Sequence, residues 1–192
     1  MGRTKALLPL ADGESFLNHV VATVMEAGIV RVVVVSRSEC CDGIRQQLSR
    51  DEVDIVINPT PQRGQLSSLQ CGLSVVPAAC RAVLIALVDV PLATAETVRA
   101  LIEALGRSDA DVVRPERAGR HGHPIVVTRA VAHALSSADD SETARSVLRR
   151  FAAKTVDVRV DDEGPFMDVD TPEDYGRISG IAANGPARHR RR

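Results

Sequence analysis

Apolar positions along the chain follow two periods, and these predict alternating helices and strands. Between Ser15 and Ala27 apolar residues recur every three or four positions, as in an amphipathic helix, and Gly28 supplies a stop signal. Arg31 to Ser36 is nearly pure valine, which is typical of a strand covered on both faces in a parallel sheet. The runs Val53 to Ile57 and Ala82 to Val88 repeat this strand pattern.

Helical stretches lie between these strands, and their alternation predicts the fold class. They are Gly43 to Arg50, Gln65 to Val75 and Ala95 to Leu105. Strands that alternate with helices form right-handed crossovers, which place helices on both faces of a sheet. The first half of the chain therefore predicts an α/β protein, a three-layer α/β/α sandwich around a mostly parallel sheet.

Beyond Leu105 the predicted elements are shorter and indicate an antiparallel excursion of the sheet. They are strands at Asp111 to Arg114, Ile125 to Thr128, Thr155 to Val160 and Phe166 to Val169, and helices at Ala130 to Ser136 and Glu142 to Phe151. Thr171 to Asp174, with Pro172 in the first turn, opens a last helix. We expect one domain over residues 1–183, followed by a disordered basic tail over 184–192 rather than a binding arm.

Composition and charge narrow the function to small-molecule chemistry. The 192 residues are 44% hydrophobic and 26% charged, as in a globular domain, and they carry a net charge of -1 with 2% aromatic residues. A nucleic-acid binder would carry a positive field and stacking aromatics. Apolar runs are too short to span a bilayer and Met1 opens no signal peptide, so we expect a cytoplasmic protein. The four cysteines have no zinc-ligand spacing and are predicted to be reduced thiols.

Carboxylates at two places are candidate Mg²⁺ ligands. Asp89 ends the third apolar strand, where open α/β sheets place their ligands, although it could instead cap the helix after Pro91. Asp168 and Asp170 are two apart in an extended segment, so both face one side while Val169 packs inward. Asp170 could alternatively be only a helix cap. Mg²⁺ prefers such hard oxygen ligands together with substrate phosphates.

Six short segments add a more specific pattern through their order and spacing. They are Met1 to Leu10, Gly64 to Leu73, Leu87 to Leu92, Gly122 to Pro124, Ala144 to Leu148 and Asp168 to Asp174. The first is similar to the second half of L-A-A-G-x-S-x-R-M-G-x-x-K-x-L-L-P-L, the signature of the MobA-like nucleotidyltransferases. The others are similar to G-Q-x-S-S-L-x-x-G-L, L-x-D-Q-P-L, G-H-P, G-A-R-x-L-L and D-x-D-T-P-E-D in the molybdopterin cytidylyltransferase branch. The chain thus resembles this family from Met1 to about Gly180.

The resemblance implies a Rossmann-like sheet of the nucleotide-diphospho-sugar transferase type and a reaction. A phosphate of an acceptor such as molybdopterin attacks the α-phosphate of an NTP, and pyrophosphate leaves. In this reading Lys5 and Asp89 are catalytic, and Mg²⁺ is held by Asp89 and Asp170 with support from Asp168. A molybdoenzyme or chaperone is a further expected partner.

Nucleotide contacts are also implied by the resemblance. Gly2 and Lys5 would contact the phosphates, although a lysine near a terminus is ordinarily a surface residue, and the nucleotide pocket would be lined by Gly64, Gln65, Ser67 and Ser68. The Thr4-Lys5 pair and Gly64-Gln65 favour CTP over GTP. His123 is either on the acceptor side or structural.

Departures from the family pattern define the open questions. Val90 replaces a glutamine, and Ser141 to Thr143 stand where the family tends to carry glycine. The first strand and half of the loop signature have no counterpart before Met1, so we expect Met1 to be the internal methionine of R-M-G, with a start about 15 to 25 residues upstream. Two rivals remain: a non-catalytic paralogue that binds nucleotide or a molybdoenzyme, and a D-x-D glycosyltransferase.

Overall fold

Helices and strands alternate through most of the chain in a computed structural model that describes residues 4–48 and 51–182. The helices are α1 (Phe16–Glu26), α2 (Cys41–Gln47), α3 (Gln65–Leu73), α4 (Ala95–Arg107), α5 (Arg129–Ser136), α6 (Ala144–Arg149) and α7 (Pro172–Ala182). The strands are β1 (Val32–Ser36), β2 (Val53–Ile57), β3 (Ala82–Ile85), β4 (Val112–Arg117), β5 (Arg120–His121), β6 (Ile125–Thr128) and β7 (Thr155–Arg159). Gly2 and the predicted tail at 184–192 lie outside the described residues.

The strands form two sheets. In the smaller sheet β1 and β2 are parallel, with Val32 opposite Val53 and Ser36 opposite Ile57. The larger sheet has the order β3-β6-β4, and β4 also pairs with β7 and with the short hairpin strand β5. Here β6 is antiparallel to both β3 and β4, whereas β7 is parallel to β4. The sheet structure is therefore mixed, as the shorter elements after Leu105 predicted.

Side chains alternate across the larger sheet and bury both of its faces. Val112 and Val127 lie in a core cluster with residues of α3, α5 and α6. Their neighbours Val113 and Val126 lie in a second cluster with Leu101 of α4. Because successive residues of a strand point to opposite faces, these clusters are on opposite sides of the sheet. The three-layer α/β/α prediction is confirmed.

The structure differs from the predicted strands at three places. The third strand ends at Ile85 rather than Val88, because its partner β6 begins at Ile125 and the preceding Pro124 has no N–H for the ladder. The predicted strand at Phe166 to Val169 is wrong: a 3-10 helix covers Gly164–Phe166, and residues 167–169 are not part of a strand. The strand β5 was not predicted, since two exposed polar residues carry no periodic signal.

Two further observations concern the cysteines and the helices. All four cysteines are free thiols. Within residues 4–48 and 51–182, no helix has both the length and the apolar character needed to cross a bilayer.

Candidate active site

Asp89 lies in a turn just beyond the end of β3. The Val90 N–H donates to the Leu87 carbonyl and closes this turn. The next helix, α4, is capped by Thr94, whose hydroxyl accepts a hydrogen bond from the Thr97 N–H. Asp89 therefore does not cap the helix, and its carboxylate, 35% exposed, is available for another role.

The segment 168–170 runs alongside this turn. The Val169 N–H donates to the Asp89 carbonyl oxygen at 2.9 Å, and the Val169 side chain is fully buried with Leu8 and Phe16. Asp168 and Asp170, on either side of it, are exposed. One buried valine thus fixes the segment and directs two carboxylates outward, as the alternation of an extended chain predicted.

Thr171, and not Asp170, caps the last helix. Its hydroxyl accepts a hydrogen bond from the Asp174 N–H at 3.1 Å, and the Asp174 carboxylate accepts one from the Thr171 N–H at 3.0 Å. The Thr171 hydroxyl and N–H both donate to the Asp174 carboxylate, and these bonds hold the pKa of that carboxyl below its usual value. The Asp170 side chain makes neither cap bond, which argues against its alternative role as a helix cap.

Lys5 joins the two predicted metal ligands that are furthest apart in sequence. It opens a short 3-10 helix, Lys5–Leu7, which is held in place by the buried side chain of Ala6. Its ammonium lies 2.6 Å from Asp170 Oδ1 and 3.8 Å from Asp89 Oδ2. Three residues from separate parts of the chain therefore meet at one point, and one cation already sits between two carboxylates.

The arrangement of these carboxylates fits a hard divalent cation in part. Asp89 and Asp170 both offer oxygen atoms within reach of a single positive charge. Asp168 is two residues from Asp170, roughly 6 to 7 Å along an extended chain, and the three carboxylates do not converge as a compact ligand group. The structure brings Asp89 and Asp170 to the same lysine, and the charges of Asp168 and Asp89 both act on His123.

A cavity of about 320 Å³ opens at the carboxyl ends of β1 and β2. It is lined by Val35, Ser36, Arg37, Asn58, Pro61, Gly64, Gln65 and Ser68. Gly64, with a φ of 87° and open space where a Cβ would lie, starts α3 in a conformation that other residues rarely adopt. Of the four residues predicted to line the nucleotide pocket, three face this cavity: Gly64, Gln65 and Ser68.

Ser67, the fourth predicted contact, lies beneath the loop. It is 4% exposed, and its hydroxyl donates to the Gly64 carbonyl at 2.8 Å. Its hydrogen bonds hold the loop from inside.

Asn58 is a cavity residue that the sequence reasoning missed. It follows β2 directly, is 2% exposed and bonds to both Ser67 and Ser68. The available signal was a polar residue before Pro59 at the end of an apolar strand.

His123 is half-buried and lies near two of the carboxylates. Burial lowers the pKa of its imidazole, and the Ile85 backbone and the charges of Asp168 and Asp89 offset this in part. Among the described residues, its Nδ1 atom is buried without a hydrogen-bond partner. Its backbone N–H donates to the Pro165 carbonyl, which ties the Gly-His-Pro turn to the 3-10 helix ahead of Asp168.

A second set of possible ligand atoms lies before α1. Atoms of Asp12, Glu14 and His19 are within 4.8 Å of one another, and within the described part of the chain this is the one such group of three. The Asp12 carboxylate accepts a hydrogen bond from the Glu14 N–H, as an ordinary Asx turn requires. The turn itself therefore accounts for this arrangement.

Known proteins share this architecture. The homologue of Mycobacterium tuberculosis Rv0371c from Mycobacterium sp. strain JC1 is 28% identical, with a TM-score of 0.79 over 96% of this chain and 90% of that one. The M. tuberculosis H37Rv Rv0371c structure in complex with manganese is 23% identical, with a TM-score of 0.73 over 93% of each chain. Molybdopterin-guanine dinucleotide biosynthesis protein A from Archaeoglobus fulgidus is 18% identical, with a TM-score of 0.70 over 96% and 93%.

Two sequence comparisons gave different results. No curated protein matches the sequence. The family model described as the MobA-like NTP transferase domain matches residues 1–158, which include Lys5, Asp89 and the cavity at the ends of β1 and β2. The chain belongs to the MobA-like NTP transferase family, whose members are nucleotidyltransferases.

Proposed function

We propose that this protein transfers a nucleoside monophosphate from an NTP, with CTP favoured over GTP, to a phosphate of an acceptor such as molybdopterin. An acceptor phosphate oxygen forms a bond to the α-phosphorus, the bond from that phosphorus to the bridging oxygen breaks, and pyrophosphate leaves. Family membership supports nucleotidyl transfer. The similarity to the Archaeoglobus fulgidus biosynthesis protein motivates the choice of acceptor.

The convergence of Lys5, Asp89 and Asp170 is the observation that carries this proposal. Lys5 and Asp170 are 165 positions apart, so only the fold brings the ammonium to the carboxylate. Phosphoryl transfer needs little covalent chemistry from the protein and depends on aligning two anions and neutralising their charge. A lysine beside two accessible carboxylates supplies both kinds of charge that such a site requires.

Mg²⁺ is the proposed metal, with Asp89 and Asp170 as its ligands and Asp168 as support. When bound, it would neutralise negative charge on the nucleotide phosphates. The Lys5 side chain is 32% exposed and flexible, so its ammonium can turn from the Asp170 carboxylate toward a phosphate. The cavity lined by Gly64, Gln65 and Ser68 would receive the nucleoside.

The direct test measures pyrophosphate release from CTP and from GTP with Mg²⁺ and molybdopterin. We expect Asp89→Asn to reduce transfer a hundredfold or more, about 3 kcal/mol, because a preorganised charge contact is lost while the nearly isosteric, part-buried side chain lets the turn fold. Asp109→Asn is the matched control, since that carboxylate is 95% exposed and pairs only loosely with Lys154 at 3.9 Å.

The outcomes separate the rival functions. Near wild-type transfer by Asp89→Asn would remove Asp89 from the metal site. CTP binding without any turnover would indicate a non-catalytic binding protein. Hydrolysis of nucleotide sugars in place of pyrophosphate release would indicate the D-x-D glycosyltransferase.

A further inference from the structure

Asn58 connects the end of β2 to the loop that lines the nucleotide cavity. Its backbone N–H donates to the Ser36 carbonyl at the end of β1, so the residue is anchored to both strands of the smaller sheet. Its side chain is buried and reaches α3 across the cavity floor. A buried amide of this kind acts through the groups to which it bonds.

The hydrogen bonds determine which way the Asn58 amide points. The Thr60 backbone N–H can only donate, and it lies 2.9 Å from Asn58 Oδ1. The oxygen must therefore face Thr60, and the amide nitrogen faces the two serines. Nδ2 lies 2.9 Å from Ser67 Oγ and 3.0 Å from Ser68 Oγ, which uses both of its protons.

These bonds also constrain the serine protons. Ser67 accepts from Asn58 and donates its own proton to the Gly64 carbonyl. Ser68 accepts from Asn58 and, over residues 4–48 and 51–182, has no recorded acceptor for its proton. Ser68 lies on the cavity wall, whereas Ser67 does not. The proton that remains uncommitted is thus the one next to the cavity.

We infer that Asn58 is a positioning residue for nucleotide recognition: by donating to Ser68, it leaves the Ser68 hydroxyl proton for an acceptor atom of the bound nucleoside. This inference rests on the proposed function. The acceptor is an oxygen or nitrogen of the base or an oxygen of the ribose, because both present lone pairs.

The test is a double-mutant cycle on CTP affinity, measured by calorimetry and as the KM of transfer. We expect Ser68→Ala to weaken CTP binding about tenfold with kcat within about twofold, because a ground-state contact is removed. Asn58→Asp is nearly isosteric, but its carboxylate has no protons, so the Ser68 hydroxyl must donate to it. We expect about the same tenfold loss, and no more than a further twofold when Asn58→Asp is added to Ser68→Ala.

Controls separate positioning from general damage. Ser74→Ala makes the same substitution at the C-terminal end of α3, where the hydroxyl donates to the Cys71 carbonyl, and should leave CTP affinity unchanged. Asn58→Ala removes the amide without adding a charge and serves in the same cycle if the carboxylate prevents folding. Its effect on CTP affinity should likewise vanish in the Ser68→Ala background.

Each result has a defined meaning. Losses that multiply to about a hundredfold in the double variant would overturn the inference, because Asn58 would then act independently of Ser68. If the wild type binds CTP but transfers nothing, the proposed function fails while the calorimetric cycle still tests Asn58. If it binds neither CTP nor GTP, both proposals are overturned. Repeating the cycle with 2′-deoxy-CTP assigns the contact to the ribose 2′-hydroxyl if Ser68→Ala no longer matters, and to the base or another ribose oxygen if it does.

Discussion

The two sheets of this protein contain similar valine-rich strands but are supported differently. In the larger sheet β4 is hydrogen-bonded to β6, β7 and β5, and three of the four residues of β6 are buried. In the smaller sheet β1 pairs with β2 over the described residues, and no residue of β2 is fully buried. Ile57, at the end of β2, is 42% exposed.

The two sheets also differ in the groups that lie at their ends. The smaller sheet ends in polar side chains, Ser36 and Asn58, that line a cavity. The larger sheet ends at the turn of Asp89, which is fixed by a backbone bond from the buried Val169. The cavity side is thus held by side-chain hydrogen bonds of Asn58, whereas the turn of Asp89 is held by a backbone hydrogen bond and the packing of Val169.

Loss of packing should therefore be costlier in the larger sheet. Leu101 is fully buried against Val113 and Val126, so we expect Leu101→Ala to lower the free energy of unfolding by about 4 kcal/mol. Leu17 packs with Val21 and Val34 near the smaller sheet. We expect Leu17→Ala to lower the free energy of unfolding by about 2 to 3 kcal/mol, since the residues around it can collapse more easily. Urea denaturation measures both. Equal losses would remove the difference in support between the two sheets.

Replacing a glycine by alanine is a second way to compare the two regions. A Cβ at Gly122 would overlap the Pro165 carbonyl oxygen, which is backbone and belongs to the 3-10 helix ahead of Asp168. A Cβ at Gly72 on α3 would lie 2.9 Å from a side-chain methyl of Val35 on β1. We expect Gly122→Ala to cost about 2 to 3 kcal/mol of stability and Gly72→Ala about 1 kcal/mol.

The melting temperatures and transfer rates of Gly122→Ala and Gly72→Ala test these two expectations. Gly106→Ala is the control, because nothing lies within 4 Å of the added carbon in α4 and alanine favours a helix. A Gly122→Ala protein with wild-type stability and activity would show that the turn next to Asp168 adapts.

Local opening provides a test without mutation. We expect backbone amides of β1 and β2 to exchange with solvent at least about tenfold faster than those of β4 and β6, because fewer neighbouring strands hold them. Added CTP should slow exchange in β1 and β2 more than in β4, since the cavity lies at their ends. Hydrogen exchange read by mass spectrometry gives both results, and uniform protection would contradict the comparison.

The smallest expected effect concerns an ion pair on the larger sheet. The hydrogen bond from Arg114 on β4 holds the pKa of Asp157 on β7 below its usual value, and nearby His121 adds to this. A carboxyl group whose pKa is lowered by folding stabilises the folded protein at pH values above its pKa in the unfolded chain. This stabilisation is lost as the pH falls through the pKa of the folded protein.

Because this pair is partly exposed, we expect it to contribute less than about 1 kcal/mol. Asp157→Asn should lower urea stability slightly at about pH 7, and this loss should shrink as the pH falls through the lowered pKa of Asp157. A loss that is independent of pH would indicate packing and not charge.

Much of the fold could be predicted from the sequence because apolar period and length are local properties. The valine runs of β1 and β2 and the helical spacing of α1 each carry their own signal, and the structure places these elements within a few residues of the predictions. The end of β3 could not be predicted in this way. It depends on Pro124 in the partner strand, about 40 positions away, and a single run of apolar residues contains no information about its partner.

The candidate site divides along the same line. The sequence by itself determined which residues could carry charge: Lys5, Asp89, Asp168 and Asp170 are recognisable by type, by position after a strand and by motif. Only the tertiary structure decided that Lys5 lies between Asp89 and Asp170 and that Thr171 is the helix cap. Asn58 and Ser68 likewise acquire a shared role only when β2 and α3 are packed together. The physical reason is that hydrogen bonds and ion pairs act over a few ångströms, and residues far apart in the chain reach such distances only in the folded protein.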